Sequence, residues 1–180
     1  MAGPVLTIEL DGPPPDDAMA QLGAFLTRIS SNGYTTKRLS KFDFHVVPEL
    51  LGLTDSDRPG PRPFFIEMAG PGFGNEEYLK EELAEGPYLL PLIGFVPTHE
   101  VAIVAMCNGD VDHRATVLLT AAVMEILGGV ANVELLARQK DLAKRTPGLI
   151  AMVDEPWPSA FGTTDFLDSW LEQPDFRLLK

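Results

Sequence analysis

The chain has 180 residues and a net charge of −12, from 26 acidic and 14 basic side chains, and 45% of its residues are hydrophobic. This composition is typical of a globular protein, and the length suffices for one domain with a hydrophobic core. The charge disfavours nucleic acid as a partner, because phosphate backbones would be repelled. It favours a partner with a basic surface, which it would attract and steer.

The sequence predicts neither export nor membrane insertion. The N-terminal residues 1–4 carry neither the basic region nor the apolar segment of a signal peptide. No apolar run approaches the roughly 18–20 residues that span a bilayer. The single cysteine, Cys107, cannot form a disulfide within the chain. We therefore expect a cytoplasmic protein.

The first half of the chain predicts three strands and two helices. In chain order, these are a strand over 5–10, a helix from Asp16 to Ile29 that stops at Asn32-Gly33, a strand within 34–47, a strand over 64–68 and an acidic helix over 75–84. The first helix has its apolar residues on one face, at helical spacing. The aspartates at its start complement the helix dipole.

The second half predicts a similar series. A strand over 100–107 stops at Asn108-Gly109 and is followed by a helix over 110–127, a strand over 130–136, a basic loop over 138–147, a strand over 149–153 and a helix over 164–172. The run 101–107 is apolar on both faces, which predicts a central strand covered by helices. Trp170 and Leu171 have the spacing of core residues, and the final run 176–179 is expected to add a strand or lie along the core.

These elements predict an α+β protein with a central mixed sheet covered by helices. Residues 1–180 are expected to form one domain. Its two halves, 1–86 and 87–180, both have the order β-α-β-β-α, which suggests two similar lobes. The residues of the two halves are too dissimilar to establish a duplication.

The densest polar cluster is Asn108–Arg114, at the end of the predicted central strand. Open α/β sheets bind ligands at such strand ends. Asp112 and His113 are residue types that bind metals or form a nucleophile–base pair. They also suit a structural role at the helix start, with Asp110 as the N-cap and Asp112 near the positive end of the dipole. We favour the structural interpretation, and an active site or small-molecule site there is the alternative.

No cofactor or metal is predicted. The loop Gly70–Gly74 lies between a strand and a helix, where a phosphate-binding loop would be found. Asn75 replaces the third glycine of that pattern, and Pro71 lacks a backbone donor. Glu76 and Glu77 would repel a phosphate. Three histidines in the whole chain are few for a metal site.

The candidate partner-binding residues are mostly acidic. Residues 76–125 hold nine acidic side chains and only two basic ones, Lys80 and Arg114. Trp157 lies between two prolines and is a candidate anchor, because aromatic side chains dominate many interfaces. The candidate partner-binding residues are Glu76, Glu77, Glu81, Glu82, Asp110, Asp112 and Trp157. No catalytic residue is proposed.

Two segments resemble an uncharacterised family of small bacterial proteins. The first contains the strand-to-helix motif Cys107-Asn-x-x-Val-Asp-His-Arg114, and the second is the tail Trp170-Leu…Pro-Asp-Phe-Arg177. Members of that family look like immunity proteins, the antidotes of bacterial toxins. The resemblance implies a non-enzymatic protein that binds and occludes a cognate toxin with a basic surface. It transfers no catalytic residue.

Overall fold

In the residues that the structure describes, the fold is built on one sheet of eight strands. The computed structural model describes residues 3–38, 40–54, 59–85, 88–174 and 176–179. The strands are β1 (Val5–Leu10), β2 (Ser30–Arg38), β3 (Lys41–Val46), β4 (Arg62–Ala69), β5 (His99–Ala105), β6 (Val130–Glu134), β7 (Leu149–Val153) and β8 (Ser159–Gly162). Their order in the sheet is β2-β3-β4-β5-β1-β6-β8-β7, so β5 and β1 are central.

Three of the helices cover one face of this sheet. The helices are α1 (Asp16–Ile29), α2 (Glu76–Glu85), α3 (Leu90–Ile93), α4 (Asp110–Leu127), α5 (Lys140–Ala143) and α6 (Thr164–Leu171), with short 3-10 turns at Pro48–Leu51 and Ala137–Gln139. α4 contacts β1 and β5 below it and α1 and α6 beside it. Within the described ranges, no helix has the length and apolar character that crossing a bilayer requires.

The main hydrophobic core lies between α1, α4, α6 and the sheet. Alternate residues of β5, namely Val101, Ile103 and Ala105, are completely buried. Leu119 and Val123 of α4 are also completely buried in this core. Each large apolar side chain that is buried stabilises a fold by about 1.5–3 kcal/mol, so this layer supplies most of the stability.

The C-terminal segment completes that core. Trp170 is 1% exposed, and its ring stacks on that of Phe166 with the centroids 5.7 Å apart. Leu171 and Leu178 are buried as well. The predicted burial of Trp170 and Leu171 is confirmed, and the run 176–179 lies along the core without forming a strand.

The opposite face of the sheet is only partly covered. There α3 and the end of α2 pack on a small apolar cluster centred on Leu89, Val130 and Phe161. The neighbouring part of this face, formed by β4, β5 and β1, is open to an adjoining cavity. This uncovered area makes the sheet face available for a site.

The predicted α+β class is confirmed, and so is the position of the strand at 101–107 in the centre of the sheet. The helix predicted over 110–127 has those bounds. The expected mixed sheet is not found, since each described pair of neighbouring strands is antiparallel. Two of these pairs, β2–β3 and β7–β8, are joined by short hairpin connections, which make neighbouring strands antiparallel.

Each half also contains one more strand than predicted. The segment 34–47 folds as two strands, and β2 begins at Ser30, directly after α1. Gly33, expected to end the helix, lies inside β2 with a φ of +70°, where the pairing with β3 is irregular between Ser30 and Tyr34. β8 adds the other strand, so the order of the longer elements is β-α-β-β-β-α in both halves. Corresponding strands of the two halves occupy different positions in the sheet. The strand that follows the long helix is β2 in the first half, at an edge of the sheet, and β6 in the second half, beside β1.

Candidate functional site

The polar cluster at Asn108–Arg114 holds the start of α4 in place. Asp112 is 1% exposed, and its Oδ2 accepts a hydrogen bond from the Gly109 N–H at 2.7 Å. Gly109 is therefore the N-cap, and the predicted N-cap Asp110 is the first residue of the helix. Arg62 Nε lies 3.9 Å from Asp112 Oδ1. Asp112 is thus part of the interior and does not form part of an exposed face.

His113 connects the C-terminal tail to this helix start. Its ring is 1% exposed, and Nδ1 accepts a hydrogen bond from the Leu178 N–H at 3.2 Å. Nε2 lies 3.1 Å from Asn108 Oδ1. Because an amide oxygen accepts only, this pair requires the proton on Nε2. Both ring nitrogens are therefore engaged in structural hydrogen bonds.

We expect the substitution His113→Ala to lower the free energy of unfolding by about 2–4 kcal/mol, because it leaves a buried N–H of Leu178 without an acceptor and creates a cavity. Partner affinity, measured at a temperature where the variant is folded, should not change. Chemical denaturation and calorimetric titration would measure the two quantities. A loss of affinity without a loss of stability would contradict the structural role.

The predicted partner-binding residues fall into separate places. Those on α2 (Glu76, Glu77, Glu81 and Glu82) are all exposed, and Trp157 is 55% exposed. Only Glu82 and Trp157 meet at a common cavity. Asp110 lies at the start of α4, where its carboxylate is 3.8 Å from Arg177 Nη1, and Asp112 is buried. The structure therefore brings together two of the seven predicted residues.

The cavity beside Glu82 and Trp157 has a volume of about 610 Å³. It is formed by the uncovered face of β4, β5, β1 and β6, by α2, and by the loop that holds Trp157. Its described polar lining is Thr7, Glu67, Asn75, Tyr78, Glu82, Glu100, Asn132, Glu134, Trp157 and Ser159. None of its described lining residues is a Lys, Arg or His, whereas four are glutamates, so the lining is acidic.

Two glutamates lie side by side beneath this cavity. Glu9 on β1 and Glu100 on β5 are paired directly in the antiparallel register, so their side chains are neighbours on the same face of the sheet. They are 3% and 7% exposed. Like charges placed directly opposite destabilise a sheet, and buried carboxylates do so even more. Such a pair at the centre of a sheet is a candidate for a functional site.

Asn132 on β6 holds the first of these carboxyls. Its Nδ2 donates to Glu9 Oε1 at 3.0 Å. Two buried oxygens remain without a hydrogen-bond partner among the described residues, namely Glu9 Oε2 and Asn132 Oδ1. Buried polar atoms are nearly always satisfied in native proteins, by a protein group, by ordered water or by a ligand, so these two oxygens are acceptors open to an incoming donor.

Burial raises the pKa of both glutamates. The pKa of Glu9 rises to about 7, chiefly by desolvation, while the hydrogen bond from Asn132 opposes the rise. The pKa of Glu100 rises to about 8 by desolvation and by the charges of Glu82 and Glu9. Near neutral pH the pair therefore holds protons that an arriving cation can displace.

The rim of the cavity combines aromatic and acidic side chains. Tyr78 on α2 is 59% exposed, close to the 55% of Trp157. Partial desolvation beside the cavity wall raises the pKa of Glu82, the hydrogen bond with Tyr78 opposes this rise, and the charge of Glu134 adds to it. Exposed aromatic rings beside carboxylates are well suited to bind a group that is both flat and positively charged.

Sequence reasoning missed Glu9, Glu100 and Asn132. The available signal was a charged residue inside each apolar strand, at Glu9 in Val5–Leu10 and at Glu100 in His99–Ala105. That signal does not say that the two residues pair, because the pairing depends on the register of strands distant in sequence. Tyr78 was missed because an exposed aromatic residue on an acidic helix has no distinctive spacing.

The fold and the site together define an α+β protein with an acidic, aromatic-rimmed cavity on an antiparallel sheet. The chain belongs to the family of unknown function DUF6368, whose model matches residues 2–180. This agrees with the expectation of an uncharacterised family. No curated protein and no solved structure matches the chain.

Proposed function

We propose that this protein is a non-enzymatic binding protein whose acidic cavity receives a basic surface of another protein. The observation that carries this proposal is the cavity itself, in which carboxylates and exposed aromatic rings occur together and the described lining holds no basic side chain. In its most specific form, the protein is an immunity protein, and its partner is a cognate bacterial toxin.

The mechanism would be steric occlusion. A toxin that acts on a polyanion, such as nucleic acid, needs basic side chains at its active surface. An acidic protein that covers this surface excludes the substrate and needs no catalysis of its own. The net charge of −12 would also accelerate the encounter.

The aromatic rim supports a protein partner. Interface hot spots are enriched in Trp and Tyr, and they lie where water is excluded on binding. Tyr78 and Trp157 are more than half exposed, on two different segments that line the same cavity. A partner side chain that enters between them would bury both rings.

The matched pair Glu82→Lys and Glu81→Lys tests this docking surface. Both residues are exposed on α2 and the charge change is the same, but only Glu82 lines the cavity. We expect Glu82→Lys to weaken partner binding by about tenfold or more, because it places a like charge against a basic surface. Glu81→Lys should change the dissociation constant less than about threefold, as expected outside the interface.

The partner for the measurement has first to be identified, either as a toxin-domain protein encoded by an adjacent open reading frame or by a pull-down from the native host. Calorimetric titration gives the dissociation constant, and stopped-flow kinetics gives the association rate at low and high salt. The rate should fall steeply as salt increases. Equal effects of the two substitutions, or an association rate that does not respond to salt, would contradict this docking surface. The absence of any complex, together with no protection of cells from the toxin, would contradict the immunity function.

A further inference from the structure

A smaller recess continues from the cavity toward the buried glutamates. Its volume is about 70 Å³, and it shares five described lining residues with the larger cavity, namely Glu82, Glu100, Asn132, Trp157 and Ser159. Glu9 lines only the recess. A recess of this size admits a few water molecules or one small end group of a side chain, and not a larger ligand.

The recess has apolar walls and an acidic floor. Leu79, Leu83, Leu89, Val153 and Phe161 are among the residues that line it. At the floor, Glu9 Oε2 and Asn132 Oδ1 are buried and lack a donor among the described residues. Glu9 is itself 97% buried, so its free oxygen is preorganised and not merely one atom of an exposed acidic patch.

We propose that this recess is a subsite for one guanidinium group, supplied by an arginine side chain of the basic partner. The inference rests on the proposed function for the source of the arginine. The choice of a guanidinium as the bound group rests on the shape and the acceptors of the recess, and these do not depend on the proposed function.

A guanidinium satisfies this site better than other cations do. It presents five N–H donors in a rigid plane, so that one edge can donate to Glu9 Oε2 and Asn132 Oδ1 while another faces Glu100. Its faces are weakly hydrated and stack on aromatic rings, and Trp157 lines both the recess and the cavity. In the part of the chain that the structure describes, no three His, Cys, Asp or Glu side chains are placed to hold a metal ion.

Occupation of the recess is coupled to proton release. Around neutral pH the raised pKa values of Glu9 and Glu100 leave the pair largely protonated when the recess is empty. A guanidinium favours the ionised carboxylates and therefore displaces protons. We expect affinity to increase with pH up to about 8, by as much as tenfold per pH unit for each proton released.

The experiment is a calorimetric titration of the full chain with butylguanidinium, in two buffers of different ionisation enthalpy. Butylurea is the neutral isostere and butylammonium the non-planar cation. We expect butylguanidinium to bind with proton release, butylammonium to bind more weakly by about threefold or more, and butylurea not to bind. Glu9→Gln and Glu100→Gln should each weaken butylguanidinium by about tenfold or more, whereas Glu81→Gln should not change it.

Several results would overturn the assignment. Equal binding of butylurea, no proton release by the wild-type chain, or unchanged binding by both Gln variants would each exclude a guanidinium subsite. The first two readouts use the wild-type chain, so they do not depend on the folding of a variant. Chemical denaturation at about pH 6 would verify that the Gln variants are folded.

One further comparison distinguishes an arginine of a protein partner from a small molecule as the source of the guanidinium. A second distinguishes failure of the subsite from failure of the proposed function. Blocked arginine, N-acetylarginine amide, carries the side chain without the α-amino and α-carboxylate charges, as an arginine within a partner chain does, and it should bind at least as well as free arginine. Tighter binding of free arginine by about tenfold would assign the recess to a small molecule and overturn the partner's arginine. If butylguanidinium fails but Glu82→Lys still weakens the toxin complex, only the subsite is wrong. If butylguanidinium binds but no toxin does, only the proposed function is wrong.

Discussion

Deletion of residues 164–180 should abolish cooperative folding of this protein. The segment contributes Phe166, Leu167 and Trp170, each no more than 1% exposed, as well as the buried Leu171 and Leu178. Truncation of one large buried side chain costs about 2–5 kcal/mol, whereas a whole domain is stable by about 5–15 kcal/mol. The loss of five such groups at once is comparable with or larger than the whole stability of a domain. Near-ultraviolet circular dichroism and urea denaturation would show a molten or insoluble product.

A shorter deletion provides the control. Removal of residues 179–180 leaves Leu178, and with it the hydrogen bond from its N–H to His113 Nδ1. That variant should unfold cooperatively, with a free energy of unfolding within about 1–2 kcal/mol of the wild-type value. If the longer deletion also unfolds cooperatively and only partner binding is lost, the tail is an interaction element and our assignment to the core is wrong.

The second large effect is on the pH dependence of stability. Folding raises the pKa of Glu9 from 4.5 to about 7 and that of Glu100 from 4.5 to about 8. The folded state therefore holds more protons than the unfolded state between about pH 4.5 and 8. Stability is consequently highest near and below pH 4.5 as far as these two groups are concerned, and it is lost progressively as the pH rises to about 8.

The substitution Glu100→Gln should remove much of this loss. The neutral amide needs no proton and does not repel Glu9, so the variant should gain about 2–4 kcal/mol over the wild-type chain at about pH 8.5. At about pH 5.5 the gain should be small. Urea denaturation at both pH values measures the difference, and Glu81→Gln, on an exposed residue, serves as the control. A gain that is the same at both pH values would show that the Glu100 carboxyl does not titrate as described.

A gain in stability from Glu100→Gln would show that the Glu100 carboxyl opposes folding while it serves binding. The same substitution is expected to weaken guanidinium binding, so one change would stabilise the chain and impair its site. Residues that serve only the fold do not behave in this way, whereas residues that are retained for function commonly do.

The fold was predictable where local patterns carry the information. α4 and its bounds follow from a broad apolar stripe and from glycines at both ends, at Gly109 and Gly128. The sequence pattern did not resolve β2 and β3 as two strands, because β2 is polar and its pairing with β3 is irregular around Gly33. β8 has four residues, all buried, and so shows no alternation that periodicity could detect.

The site was less predictable than the fold. Glu82 and Trp157 were identified from charge and from an aromatic residue in a loop, and they lie on one cavity. Asp112 was selected by the same charge criterion, but its carboxylate accepts a hydrogen bond from the Gly109 N–H and caps α4. The buried floor depends on the pairing of Glu9 with Glu100, which only the order and register of the strands reveal.

The adjacency of β1 and β5 has a consequence for the timing of folding. β1 begins near the N-terminus, β5 lies beyond the middle of the chain, and β6, which supplies Asn132, comes later still. Contacts so distant in sequence form slowly, because the intervening chain must first be closed into a loop. The binding floor therefore does not exist in an N-terminal fragment on the ribosome, and it matures only when most of the protein has been synthesised. Binding competence thus appears only after β6 has been synthesised.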